Sequence, residues 1–344
     1  MPLRVGLTFD LKPADAEYSA RAPAPSDHFA EHDTEETISL IETALKGRGH
    51  KVIRIGPAKT LLKKLRALRC DIVFNIAEGL SGRNRESEVP VILETFGIPY
   101  VGSDALTLSL SLDKAISKKI FAYHDIPTPS YFECGDKDSI VMPKGFSFPL
   151  IVKPRHEGSA KGIEPDSRVN NLTALKKKAK YTIETYKQSA LVEEFISGWE
   201  FTVGIIGNDG SVNEGLEALP VVQRHVESRT NLSSHIFEKA GINRDHLKYR
   251  AFLEIEPELE SQIKCYAIAA FRGFDCRDFA RLDFRVSERL LSRRKPAIYL
   301  LEINPLPSMA KDDYFAMTAE LLGISYDEMI NRILDAAVKR YKIR

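Results

Sequence analysis

A chain of 344 residues has room for about two domains of ~150 residues each, with cores that need neither disulfides nor a structural metal. Hydrophobic residues at 43% and charged residues at 28% exclude a disordered or fibrous protein. Lys and Arg (49) balance Asp and Glu (48), so there is no basic excess for a nucleic-acid backbone, and no apolar run reaches the ~20 residues of a membrane helix.

In chain order, Arg4 to Phe9 reads as a short strand. The N-terminus reaches Asp10 too soon to hold the apolar core of a signal peptide. Asp33-Thr34-Glu35-Glu36 has capping-box spacing, and Ile38, Ile41 and Leu45 follow at helical intervals. Lys51 to Ile55 and Asp71 to Phe74 are further strands; Val89 to Phe96 is a helix closed by Gly97, and Ile98 to Val101 another strand. Strands alternating with helices predict a parallel, doubly wound sheet with its ligand loops at the strand ends. Residues 113–133 are helix-like until Pro127 and Pro129 break them, which suits a domain boundary. Strands follow at Phe148 to Val152, Ala190 to Phe195 and Glu200 to Ile206, with a helix from Ala174 to Tyr186. Residues 223–250 are polar and aperiodic, as in a functional lid. A helix at 257–272, strands at 279–286 and 297–303, and a helix from Tyr326 complete the chain. Cys70, Cys134, Cys265 and Cys276 have no CxxC spacing and read as reduced thiols of a cytoplasmic protein.

The residues best suited to chemistry are Arg281-Leu282-Asp283-Phe284 and Glu302-Ile303-Asn304-Pro305. Side chains alternate along a strand, so Arg281 and Asp283 share one face, as do Glu302 and Asn304. Leu282, Phe284, Leu301 and Ile303 then point to the core. If the two strands pair, two carboxylates, an amide oxygen and a guanidinium converge, a set of hard oxygen donors that suits Mg²⁺. Taken alone, the same residues also describe an exposed salt bridge. Lys153 ends a buried strand and precedes Glu157-Gly158-Ser159-Ala160-Lys161-Gly162, a loop whose N–H groups could approach phosphate oxygens, or an ordinary hairpin turn. No Walker GxxxxGK[ST] occurs. Leu191 to Ile196, with Glu200 beyond Trp199, could offer backbone groups to an adenine and a carboxylate to a ribose, or be a plain hairpin. His28-Phe29-Ala30-Glu31-His32 matches the H-x-x-E-H zinc pattern, but the helix start signal falls after its second histidine, so it is dismissed.

In this order, these segments resemble the D-alanine–D-alanine ligase family of ATP-grasp enzymes. Gly97-Ile98-Pro99-Tyr100-Val101-Gly102-Ser103, Leu112-Asp113-Lys114, Ile126-Pro127-Thr128-Pro129, Val152-Lys153-Pro154 and Glu193-Glu194-Phe195 carry the likeness alongside the two strands above. The resemblance implies an N-terminal α/β domain (1–112) and two antiparallel-sheet lobes (113–200 and 201–344) enclosing ATP. By the same likeness Lys114 and Lys153 contact phosphates, Ser159 sits in the mobile loop above them, and Glu193, Glu194, Phe195 and Ile196 meet the adenine. Glu200 takes the ribose, and Asp283, Glu302 and Asn304 hold Mg²⁺, with Mn²⁺ as the alternative ion. Arg281 stabilises the oxyanion. The implied chemistry is an acylphosphate attacked by an amine, in a homodimer. Its substrates are amino acids or short peptides, with no nucleic-acid or membrane partner.

The chain departs from the family on its substrate side. Asp10-Leu11-Lys12 runs into a long Ala- and Pro-rich insert, and Glu78 replaces the family's loop histidine. The lid motif has only Phe237-Glu238-Lys239 as an echo, leaving Lys239 as a phosphate contact. Ser308 and Asp313 stand where the family has a glycine and a serine for the second substrate's carboxylate. An ionised Asp there repels a carboxylate, so the expected acceptor carries a cationic or hydrogen-bond-donating group rather than being D-alanine. True D-alanine–D-alanine ligation, and a nucleotide-binding regulator without turnover, are the alternatives. A nicotinamide-dependent dehydrogenase fails because no GxGxxG follows the first strand.

Overall fold

The computed structural model describes residues 1–13, 25–209, 215–224, 226, 231–233, 249–250, 255–287 and 297–343. The N-terminal unit runs β1 (Arg4–Thr8), α1 (Glu35–Gly47), β2 (Lys51–Arg54), α2 (Ala58–Lys64), β3 (Ile72–Asn75), α3 (Glu88–Thr95) and β4 (Tyr100–Val101). Its strands form one all-parallel sheet in the order β2-β1-β3-β4. Ile72, Val73 and Phe74 are fully buried, as a strand covered on both faces requires. The α1 cap lies one residue later than the spacing suggests: Thr34, not Asp33, accepts from the Thr37 N–H at 3.2 Å. Asp33 is thereby left outside the helix, its backbone tied to Asp10 and Lys12.

The segment 113–133 proves to be a helix only as far as Tyr123. α4 (Ala105–Leu112) and α5 (Lys114–Tyr123) meet at Asp113, whose side chain caps α5 through the Ile116 N–H. Next come β5 (Tyr131–Cys134), β6 (Leu150–Pro154), β7 (Arg168–Val169), α6 (Leu172–Tyr186) and β8 (Ala190–Glu194). The four strands make an antiparallel sheet in the order β5-β8-β6-β7. Its core of Leu150, Val152, Leu175, Ala179 and Val192 is its own.

The third sheet is built on β9 (Gly198–Gly207), with β10 (Leu216–Ala218), β11 (Val222–Arg224), β12 (Tyr249–Arg250), β13 (Phe279–Ser287) and β14 (Ile298–Asn304). Its order is β12-β11-β9-β13-β14, with β10 also on β9. The ends of the polar stretch 223–250 are therefore paired strands, Gln223 opposite Arg250. α7 (Pro257–Gly273) covers one face. α8 (Tyr314–Leu321), unmarked by any apolar period, and α9 (Tyr326–Arg340) lie on the other side.

The last helix belongs to two units at once. Met329, Ile330, Ile333, Leu334 and Ala337 of α9 share a core with Val5 and Leu7 of β1, Ile38 and Ile41 of α1, and Phe279 and Phe315. Polar contacts repeat the link: Asn331 donates to the Ala44 carbonyl at 3.0 Å, and Arg340 bridges Asp278 (2.6 Å) to the Tyr100 carbonyl (2.9 Å). The first sheet is thus completed by the end of the chain.

Candidate active site

The sheets enclose a cavity of about 450 Å³. β13 and β14 pair antiparallel with Arg281 opposite Asn304 and Asp283 opposite Glu302, as the alternation of the two strands predicts. Asp283 is buried; it accepts from the Thr202 hydroxyl at 2.7 Å, from Arg281 at 3.2 Å and from the Asn304 amide at 3.3 Å. Burial pushes the Asp283 carboxyl above its ordinary range, against the pull of Arg281 and Arg224. Burial also acts to raise Glu302, but Lys114, Lys153 and Arg281 outweigh it and hold this carboxyl down at about 2. The Lys114 ammonium lies 3.3 Å from Glu302.

One expectation for these strands is corrected. The register shifts after Asp283, so Phe284 pairs with Leu300 and Leu301 occupies a β-bulge. Leu300 takes the core position, and Leu301 lines the cavity instead. The extra residue keeps Glu302 and Asn304 on the cavity side while the strand's earlier part packs inward.

The central sheet supplies a buried ion cluster. Glu193 lies between Lys153 at 2.9 Å and Lys118 at 3.1 Å. Burial works against its charge, but the two ammonium groups win and hold the carboxyl below its ordinary range. Lys118, unnoticed in the sequence, is fully buried, and burial draws it down to about 8 despite Glu193. It stands four residues after Lys114 on α5, the spacing of one helix face.

The glycine loop is fastened from outside its own sheet. Ser159 and Ala160 hold left-handed backbone at φ 46° and 53°, and Gly162 at 74°, where an added Cβ would lie 2.4 Å from Pro154. Glu31, the glutamate of the dismissed zinc pattern, accepts from the Gly158 N–H and from Arg85 at 2.5 Å each, and from Lys161 at 3.1 Å. Asp27 accepts from the Gly162 N–H at 2.8 Å and from the Tyr186 hydroxyl. Residues 26–32 form turns rather than a helix. They serve as a strap across the loop. Beyond it, Glu200 sits 3.2 Å from Arg285 and 3.6 Å from Arg224, two further cations on the cavity wall.

Every candidate residue named from the sequence lines this one cavity except Lys239, which lies outside the described residues with Phe237 and Glu238. The geometry alters the reading of Asp313. Its carboxylate accepts from the Tyr314 N–H at 2.7 Å, capping α8, and lies 3.7 Å from Arg281. Its charge is therefore partly met within the protein, by a backbone N–H and by an arginine it shares with Asp283. Glu86, Arg85, Lys161 and Glu31 were missed. Lys161 stood inside the quoted loop, while the other three join the site only through long-range folding.

Residues 121–335 match the family model "D-ala D-ala ligase C-terminus". The chain belongs to the D-alanine–D-alanine ligase family. It is 31% identical to the D-alanine–D-alanine ligase of Carboxydothermus hydrogenoformans, covering 87% of this chain and 91% of that one. It is 32% identical to the uncharacterised protein y4sG of Sinorhizobium fredii, covering 88% and 87%. Its fold superposes on the ATP complex of the Bacillus anthracis D-alanine–D-alanine ligase with a TM-score of 0.73, at 21% identity and 99% coverage of both chains. The architecture is thus the ATP-grasp fold, and the protein is an ATP-dependent ligase of the kind that forms a peptide-type bond. Among the described residues no helix is long and apolar enough to cross a membrane.

Proposed function

We propose that this ligase joins amino acids or short peptides with Mg²⁺ and ATP, by way of an acylphosphate. The observation that carries the reading is Asp283 opposite Glu302, with Asn304 and Arg281 beside them, in a cavity that Lys114 and Lys153 also enter. Two carboxylates and an amide oxygen are hard donors suited to Mg²⁺ or Mn²⁺, which when bound neutralises phosphate charge. Lys114 and Lys153 hold phosphate oxygens, under the strapped loop that carries Ser159. Glu193 to Ile196 border the adenine and Glu200 the ribose. A substrate carboxylate oxygen attacks the terminal phosphorus as ADP leaves. The amine nitrogen then attacks the acyl carbon, loses a proton, and phosphate departs. Arg281 stabilises the oxygen that gains charge in that second step. Little covalent chemistry falls to the protein, which positions reactants and supplies cations where charge develops.

We divide the chain functionally into 1–112, 113–200 and 201–344, and assign it to the cytoplasm as a homodimer. Kinship and the four free cysteines support these assignments. Gel filtration at the mass of one chain would remove the dimer. D-alanine as both substrates is a second reading, favoured by the activity named for the relatives. The test of the ligase reading is ADP and phosphate release with a panel of D- and L-amino acids and dipeptides, products being identified by mass. Absence of stimulation by any of them defeats it. Lys153→Ala is expected to raise the KM for ATP by about tenfold or more, the loss of one charge-assisted phosphate contact, with a smaller change in the amino-acid KM. An unchanged nucleotide titration would remove Lys153 from the phosphate site.

A further inference from the structure

The N-terminal wall of the cavity carries carboxyl groups that form no direct ion pair among the described residues. Glu86 is 7% exposed, lines the cavity, and makes neither a hydrogen bond nor an ion pair through its side chain. Glu78 and Asp33 line the same wall, also without a side-chain partner within bonding distance. The placement of Glu78 is rigid. Gly79 follows it at φ 71°, pressed against Arg85 so closely that a Cβ would stand 2.8 Å from the Arg85 backbone, and its N–H is held by Asp10 at 2.8 Å.

The cations nearby are already engaged. Arg85 faces both glutamates but is bound to Glu31 at 2.5 Å and to the His156 carbonyl at 2.9 Å, and lies 3.5 Å from Glu157. Lys161 pairs with Glu157 at 2.5 Å and Glu31 at 3.1 Å. Lys114 is held by Glu302 and by the Glu157 carbonyl at 2.6 Å. Burial pushes Glu86 up to about 8, and burial with the charges of Glu86, Glu31 and Asp33 drives Glu78 upward too. Burial without a bound cation favours the protonated form of these groups, and an incoming positive charge draws them into the ionised form, so a cavity wall that retains them is suited to a cation. Among the described residues no three acidic, His or Cys side chains are arranged around a metal. An ammonium or guanidinium, with several N–H donors that need no fixed coordination shell, suits the wall better.

We infer that Glu78 and Glu86 select a substrate with a cationic side chain, a basic amino acid of the lysine, ornithine or arginine type, whose charged end sits between them. The inference rests on the ligase reading above and narrows its substrate class. The cavity is then matched at both ends: the carboxylate to be activated lies toward Lys114, Lys153 and Arg281, and the distal cation toward the N-terminal wall. A lone α-ammonium beside the reacting carboxylate leaves that wall without a cation.

The experiment compares lysine, ornithine and arginine, in both chiralities, with norleucine and alanine as uncharged controls. In ATP-dependent turnover, the basic substrates are expected to have kcat/KM at least about tenfold higher. Glu78→Gln and Glu86→Gln, each checked for a cooperative melt, should bring that ratio toward one, and Glu86→Asp should keep most of it. Equal use of norleucine and lysine, or a preference that survives the Glu78→Gln/Glu86→Gln double variant, overturns the proposal. Calorimetric titration of the same ligands into the full chain reads the charge preference without turnover. If no amino acid stimulates ATP consumption, the ligase reading fails. Tighter binding of lysine than norleucine, lost in the double variant, then still supports the cationic site, and equal binding overturns it.

Discussion

Asp283→Asn is expected to lower ATP-dependent ligation by about 10²–10³-fold, the scale of losing one preorganised stabiliser of transition-state charge. The change keeps volume and retains an oxygen for the Thr202 hydroxyl, which donates to Asp283 at 2.7 Å. What it removes is the anionic oxygen that faces Arg281 and Asn304. Glu302→Gln acts on the opposite strand at the paired position, and it also deprives Lys114 of its carboxylate at 3.3 Å. Both variants should therefore need more Mg²⁺ for whatever rate remains. ADP release at saturating ATP, over a magnesium titration, is the measurement. A rate within threefold of the unmodified protein for either variant would detach the metal from these strands.

The second large effect is on stability. Glu31→Gln leaves Arg85 and Lys161, both buried, with Glu157 as the one carboxylate of the cluster that they still share. Removing one member of a buried ion cluster costs about 3–5 kcal/mol, because the remaining charges stay desolvated. Lys161→Met should cost less, since Glu31 keeps Arg85 and the Gly158 N–H. The order of the two variants in urea unfolding tests whether Glu31 is the centre of the strap. If Glu31→Gln melts with the unmodified protein, the strap contributes nothing to stability. The same variant should bind ATP more weakly, because Gly158 is then anchored by a neutral amide oxygen in place of a carboxylate.

Much of the nucleotide side was legible because it depends on period and order. Two-residue alternation places Arg281, Asp283, Glu302 and Asn304 on one face, and the antiparallel register sets them opposite each other. Alternation cannot reveal a bulge, so Leu301 was assigned to the core when Leu300 holds that position. The α1 cap was missed by a single residue because Asp33 and Thr34 are both good capping types and only the fold chooses. Asp313 shows the limit of local charge reasoning. Its nearest cation, Arg281, is 32 positions away in sequence and became its neighbour only when α8 folded against the sheet. Glu31 is a stronger case. Its partners Arg85, Gly158 and Lys161 come from two other segments, and nothing in its own surroundings except a false zinc pattern sets it apart.

The shared core beneath α9 bears on how the chain is made. β1 to β4 are made before α9, yet part of the core around β1 and α1 is supplied by Met329, Ile330, Ile333 and Leu334. Until those residues emerge, Val5, Leu7, Ile38 and Ile41 have only their own unit, with Leu45, Ile72, Phe74 and Val101, to pack against. The middle sheet, whose core is drawn from 132–192, can finish on its own in the meantime. One face of the first sheet has a core of its own, Ile55 to Tyr100, and the other waits for α9, so a chain stopped before Tyr326 is expected to be more open to protease at α1 than in the central sheet.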